Sequence, residues 1–303
     1  MPRTPLGRSR LGKLGERGIE LAIRVGGISA VVLVLGILVF LVHEAWPFLT
    51  TRFDATELLG STRWMPNSVV APSYGALALV LGTLAVTLTA MAIAVPLGLL
   101  GAVYLAELAP PRVRELGKIA VELLAAVPSV VWGFLALTVT SRITSLVFGV
   151  PVGLNSFNGA IVLAFMALPV IVSLGEDALR AVPDSYREAA ESLGATRWES
   201  TIRVVLPAAR GGLSAAVLLG VGRVIGETMA VLMATGHAVR VPTSPFDPVR
   251  TLTATIAAEL GEAPQGGEHY GALFTLGLLL FAITFVVNLL AGVLVRRGGH
   301  RRG

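Results

Sequence analysis

The sequence predicts an all-α, polytopic membrane protein of about six transmembrane helices, and three observations carry that reading. Of its 303 residues, 54% are hydrophobic and only 14% charged, with a mean hydropathy of +0.77. A water-soluble chain of this length needs far more charge to cover its surface. The apolar residues are gathered into separate long runs, so a bilayer is the solvent that suits them. Most of the arginines fall on one side of alternate runs, which is how membrane helices are oriented.

The elements follow in order. A hydrocarbon core of roughly 30 Å takes about 20 helical residues, and the runs 21–42, 74–105, 119–140, 158–174, 211–235 and 270–295 meet that requirement. Residues 1–20 form a basic tail with Arg3, Arg8, Arg10, Lys13 and Arg17. The first helix, within 21–43, is retained rather than cleaved: its run is too long for a signal peptide, and His43-Glu44-Ala45-Trp46-Pro47 is not a small-residue cleavage site. An outer loop occupies 44–73, where Asn67 and Ser68 suit turns or contact with another protein. Residues 74–295 make a five-helix core carrying a loop at 183–207, and 296–303 form a second basic tail. Pro96 predicts a tilt or kink in the second helix and Pro169 a bend in the fourth. The loops 44–73 and 236–269 read as short structured connections, with no room for a catalytic domain.

Charge orients the bundle. One set of segments carries the two tails, Arg112, Arg114 and Lys118, then Arg180, Arg187, Arg197, Arg203 and Arg210. The opposite loops hold Arg52, Arg63, Arg142, Arg240 and Arg250. This positive-inside pattern places both termini and 183–207 in the cytoplasm, and it accounts for the net charge of +5 without nucleic acid. Cysteine is absent, which excludes disulfides and thiolate metal sites. His43, His237, His269 and His300 are scattered without metal-ligand spacing, so no metal or cofactor is expected. The stretch 7–14 approaches a phosphate-binding loop, yet Leu14 stands where a hydroxyl must reach Mg²⁺ and no strand precedes it. The chain itself is therefore not expected to bind ATP.

The loop 183–207 reads PDSYREAAESLGATRWESTIRVVLP. Ser185 with Glu188 and Thr196 with Glu199 have capping-box spacing, and Gly194 is a natural helix stop between them. Tyr186, Ala189, Ala190 and Leu193 share one face of the first short helix, and Trp198, Ile202 and Val205 one face of the second. Glu188-Ala189-Ala190, then Gly194 after three residues, then Val204-Val205-Leu206-Pro207 after nine more, resembles the EAA motif of ABC-importer permeases, with Val204 for the usual Ile. That resemblance implies a coupling helix docking on a separate ATPase through Glu188, Ala189, Ala190, Gly194, Leu206 and Pro207. The alternative is an amphipathic hairpin on the membrane surface.

Three further segments resemble the phosphate class of these permeases: Glu107-Leu108-Ala109-Pro110, Pro128-Ser129-Val130-Val131-Trp132-Gly133, and Gly222-Arg223-Val224-Ile225-Gly226-Glu227-Thr228-Met229-Ala230-Val231. The likeness runs from about Trp64 to the end of the sixth helix. It implies phosphate as cargo, a bacterial inner (cytoplasmic) membrane, a second permease subunit resembling PstA (which usually reads GETAP where this chain has GETMAV), two ATPase subunits resembling PstB, and an extracytoplasmic phosphate-binding protein. Sulfate or molybdate is the competing cargo. A membrane enzyme is the competing class, but it needs a convergent acid, base or nucleophile set that the sequence does not offer.

The expected substrate pathway comprises Arg223, Glu227, Thr228 and Ser129. Arg223 and Glu227 lie one turn apart in an apolar run, so a continuous helix lets them pair. A charge near the bilayer centre costs on the order of 3 kcal/mol and is expected to face a bundle interior or water. The guanidinium fork suits anionic oxygens. The bland reading is a structural ion pair beside a Gly222-x-x-x-Gly226 packing surface. Ser129 either lines the route or begins a helix after Pro128. Asn288 reads as interhelical glue, Trp46 and Trp64 as interfacial anchors, and Trp198 as part of the docking face.

Overall fold

The computed structural model describes residues 10–68 and 70–299. Arg3, Arg8, His300, Arg301, Arg302 and the start of the 7–14 stretch lie outside those residues. Six helical runs among the described residues are long and apolar enough to cross a membrane: Gly18–Thr51, Leu77–Leu108, Ser129–Phe148, Ser156–Arg180, Arg197–Ile225 and Glu268–Leu290.

Helix α1 (Arg10–Thr51) runs well past the expected limit and meets the bundle near its C-terminal end. There Phe40 stands edge-on to Phe274, with centroids 5.7 Å apart, and Phe48 packs against Tyr74. A short helix α2 (Ala55–Gly60) follows, capped by the Asp54 carboxylate, which accepts from the Thr56 N–H at 2.8 Å. Strands β1 (Trp64–Met65) and β2 (Ser73–Tyr74) pair antiparallel, with Trp64 opposite Tyr74. Asn67 and Ser68 lie in the turn between them.

The centre of the molecule is the seam between α3 (Leu77–Val103) and α7 (Ser156–Arg180). Ala90, Ala94, Ala160, Ala164 and Ala167 are buried there. A β-carbon on Gly98 would come within 2.7 Å of Ile171, so this seam closes only with small residues. Both Pro96 and Pro169 lie inside helices that continue through them. Helix α3 ends in a π turn, Tyr104–Leu108, closed by the Ala109 N–H on the Tyr104 carbonyl at 2.8 Å.

The third span differs from expectation. Helix α4 (Pro111–Ala126) is amphipathic and has no fully buried residue. It stops before Pro128, whose ring cannot continue a helix. The crossing helix begins afresh as α5 (Ser129–Leu135), passes through a second π turn (Ala136–Thr140), and finishes as α6 (Ser141–Phe148). The run 119–140 joins the apolar face of α4 to the first half of this span.

Beyond α7 come α8 (Asp184–Ser192), α9 (Arg197–Ser200), a third π turn (Thr201–Val205), α10 (Leu206–Ile225) and α11 (Met229–Ala234). The segment 236–267 is more than a connection. Its helix α12 (Leu252–Glu259) is buried at Leu252, Thr253, Ala254 and Thr255 and packs on α3, α11 and the last helix, α13 (Glu268–Gly299). Glu259 gathers this end of the molecule: it accepts from Trp64 Nε1 at 2.8 Å, pairs with Arg250 at 2.5 Å, and meets His269 Nε2 at 2.9 Å. Trp64, only 4% exposed, is therefore a core residue and not an interfacial anchor. Trp46 is exposed. Asn288 is exposed and has no hydrogen bond among the described residues, so it does not glue two helices of this chain.

Candidate functional site

Two interruptions of helical structure hold the candidate residues. The first is the loop 183–207. Helix α8 starts at Asp184 with Pro183 as its N-cap, two residues ahead of the Ser185 expected there, and no side chain caps it. Proline's fixed φ and missing N–H suit that place, leaving Ser185 already inside the helix. The second box does form: the Glu199 N–H donates to Thr196 Oγ1 at 3.3 Å, and Glu199 Oε2 accepts the Thr196 N–H at 3.0 Å. Between them Gly194 has φ +85°, a left-handed conformation that glycine adopts without a β-carbon penalty.

This loop has two faces. Ala190, Ser200, Thr201 and Val205 are buried against the bundle. On the outer face Leu193 is 90% and Trp198 53% exposed, and Tyr186 and Ile202 are exposed beside them. Glu188, Ala189 and Pro207 are also exposed, and Leu206 is half-buried. The motif residues thus do not share one face: Ala190 packs inward while Ala189 faces out. Between the end of α7 and the start of α10 lies a cavity of about 490 Å³ that Tyr186, Pro183 and Pro207 help to line.

The second interruption lies at the end of a span, just past Ile225. Helix α10 ends at Ile225, and α11 begins only at Met229. Gly226, a poor helix former, sits at the break, and the last turn tightens as the Glu227 N–H reaches back to the Val224 carbonyl at 3.2 Å. The expected Arg223–Glu227 pair is therefore absent. Glu227 Oε1 instead accepts the Ala230 N–H at 3.3 Å at the start of α11. The Thr253 hydroxyl takes the freed Glu227 carbonyl at 2.8 Å. Arg223 is exposed and makes no ion pair or hydrogen bond among the described residues. Gly222 faces open space, and a β-carbon on Gly226 would meet only the carbonyls of Gly222 and Arg223, so the Gly222-x-x-x-Gly226 surface packs against no other helix among the described residues.

Glu227 lines a cavity of about 10 Å³, room for one water, with Thr83, Thr87, Thr251 and Thr253. Arg223, Thr228 and Ser129 are not part of that lining. Thr228 precedes α11, with its hydroxyl on the Gly226 carbonyl at 3.3 Å. Ser129 opens α5 after Pro128 and is half-buried. The threonine group escaped sequence reasoning because its members come from α3 and α12, far apart in the chain.

Two of the segments that carry the resemblance meet in space. At Gly133 a β-carbon would lie 2.8 Å from Met233 Sδ and 3.2 Å from the Ala230 backbone, so α5 crosses directly over α11. Asn158, fully buried, fastens the same junction. Its amide donates to the carbonyls of Ala234 at 3.0 Å and Ala136 at 3.3 Å, and its oxygen accepts from Thr140 at 2.6 Å.

Residues 94–299 match the family model described as "Binding-protein-dependent transport system inner membrane component". The chain is 38% identical to "Phosphate transport system permease protein PstC" of Mesorhizobium japonicum, covering 92% of this chain and 90% of that one. It is 37% identical to the PstC protein of Haemophilus influenzae over 90% of each chain. It is also 38% identical to "Probable ABC transporter permease protein YqgH" of Bacillus subtilis, with 82% of this chain covered and 81% of that one. Among solved structures, a chain of a bacterial alginate ABC transporter in complex with an alginate pentasaccharide-bound periplasmic protein superposes with a TM-score of 0.65 at 16% identity, covering 95% of this chain and 98% of that one. The fold is that of the type I ABC-importer permeases.

Proposed function

The chain belongs to the family of binding-protein-dependent transport system inner membrane components, and on that premise we propose that it passes inorganic phosphate through a bacterial inner membrane. It is a multi-pass permease subunit of an ABC importer. The observation that carries the choice of phosphate is the similarity to PstC proteins over most of its length. Its partners are then a second permease resembling PstA, two ATPases resembling PstB, and an extracytoplasmic phosphate-binding protein. The arginine asymmetry supports cytoplasmic termini.

The outer face of 183–207 supports docking on the ATPase. Leu193, Trp198 and Ile202 stand in solvent, a cluster of large apolar side chains of the kind that marks an interface. ATP-driven closure of two ATPases moves this loop, and α10 continues from it into the membrane. At the far end of α10 stands Arg223, exposed within an apolar span. Lipid is a poor neighbour for that charge, at a cost on the order of 3 kcal/mol. A water-filled route between two permeases suits it, and its planar fork suits phosphate oxygens. Glu227 and Thr228 shape the break that sets Arg223 at a helix end, and Ser129 begins the helix that crosses it.

The test is reconstitution in proteoliposomes with the neighbouring ATPase, the second permease and the binding protein. Phosphate uptake and phosphate-stimulated ATP hydrolysis are expected. Stimulation by sulfate or molybdate instead overturns the cargo, and failure to recover any ATPase from solubilised membranes overturns the coupling role.

A further inference from the structure

The segment Glu107-Leu108-Ala109-Pro110 and the loop 183–207 lie far apart in the chain, and the structure joins them through one guanidinium. Arg187 Nη2 donates to Glu107 Oε1 at 2.7 Å and Nε to Oε2 at 3.2 Å, a bidentate pair. The same Nη2 donates to the Leu179 carbonyl at 3.0 Å, and Nη1 donates to the Val182 carbonyl at 2.7 Å and to Asp184 at 3.1 Å. One side chain of α8 therefore holds the end of α3 and the end of α7 together. Arg187 is 20% and Glu107 10% exposed, so the pair is largely withdrawn from water. Glu107 lies in the π turn that ends α3, and a second arginine braces that turn from α4: Arg114 donates to the carbonyls of Leu105 at 2.7 Å and Ala106 at 3.0 Å.

We propose that Arg187 and Glu107 form the rigid joint through which displacement of the loop 183–207 reaches α3 and α7, making both of them positioning residues for transport. The inference rests on the reading that this loop docks the ATPase. Apolar packing alone joins Ala190 and Val205 to the bundle, and such contacts slide easily. A bidentate pair locked to two helix-end carbonyls does not, because moving it leaves a buried charge and carbonyls without partners. The outer face of α8 receives the ATPase, and the inner face passes the motion on. Helix α10 is continuous with the loop through the π turn, and α7 runs into it through residues 181–183, so the joint adds a directional polar link to α3, which otherwise meets the loop only through apolar packing.

The experiment measures phosphate imported per ATP hydrolysed in proteoliposomes of the full complex, for Arg187→Ala, Arg187→Lys, Glu107→Gln and the double variant Arg187→Ala with Glu107→Gln. Co-purification of the ATPase is scored first. Loss of that co-purification in the wild-type complex refutes the docking reading itself, whatever the joint does. In complexes that retain the ATPase, Arg187→Ala is expected to lower the transport ratio roughly tenfold, Glu107→Gln severalfold, and the double variant no further than Arg187→Ala. Arg187→Lys keeps the charge but cannot bridge the same groups, so it is expected to fall between wild type and Arg187→Ala. Should Arg187→Ala fail to assemble, the isosteric Glu107→Gln decides alone. A ratio within about twofold of wild type for Glu107→Gln, or losses that multiply in the double variant, overturns the proposal.

Discussion

The loop 183–207 and the break at Gly226–Thr228 are opposite errors of solvent. The loop places Leu193, Trp198 and Ile202 where water meets the protein, and the break sets Arg223 in the last turn of an apolar span with Glu227 just beyond its end. Each arrangement is costly in an isolated chain. On the proposed reading each becomes favourable when another component arrives, a protein surface at the loop or a hydrated anion at the break. The two regions lie at the two ends of one helix, α10.

Perturbations at each end separate the two halves of this comparison. The largest effect is expected for Arg223→Ala, with phosphate uptake lost by about a hundredfold or more while the complex still assembles, as removal of a charged anion contact would do. Normal uptake with assembly intact removes the break from the substrate route. Next, Leu193→Asp places a charge at the loop's most exposed apolar position. It is expected to weaken ATPase capture by roughly tenfold or more in a pull-down, since truncated apolar anchors commonly cost about 1–2 kcal/mol or more. Unchanged capture means that this face is not the docking surface.

A smaller effect is expected at Gly133, where α5 crosses α11. Gly133→Val would push against Met233 and the Ala230 backbone and cost about 1–3 kcal/mol through overpacking. A lower thermal midpoint in detergent, with ATPase capture unaffected, locates the damage at the break. The smallest effect concerns His237 in the segment before α12. Burial, helped by the nearby Arg250 and opposed by Glu259, holds its pKa down to about 4 against an ordinary 6.5. The unfolded chain therefore binds the proton first as pH falls, and the stability contributed by neutral His237 is lost between about 6.5 and 4. His237→Gln should flatten the decline of the thermal midpoint across that window. An identical decline assigns it to other groups.

Much of this was legible in the residues. Six apolar runs, the loop and the second capping box all follow from local rules of length, charge and spacing. What local rules missed has an identifiable cause. Hydropathy could not separate the apolar face of α4 from the span that follows, and Pro128 was the one local sign of the boundary. Helical periodicity paired Arg223 with Glu227, but the pairing needed a continuous helix through Gly226, and a residue with so little helix preference let Thr253 and Ala230 claim Glu227 instead. On local grounds the amphipathic ring of Trp64 suits the membrane interface, whereas Glu259, from a distant part of the chain, draws it inward. The Arg187–Glu107 pair is invisible to any pattern within one helix.

The π turn at Thr201–Val205 bears on how such a machine can be retuned. A π turn is an α-helix that has absorbed one surplus residue. The wide turn takes up that residue within its own winding, so deleting one residue there would restore ordinary helix and leave the azimuth of everything N-terminal to it nearly unchanged. The same turn therefore acts as slack in the chain, letting the length between the loop and the span vary by one residue without rotating the outer apolar face of α8 and α9 about the α10 axis.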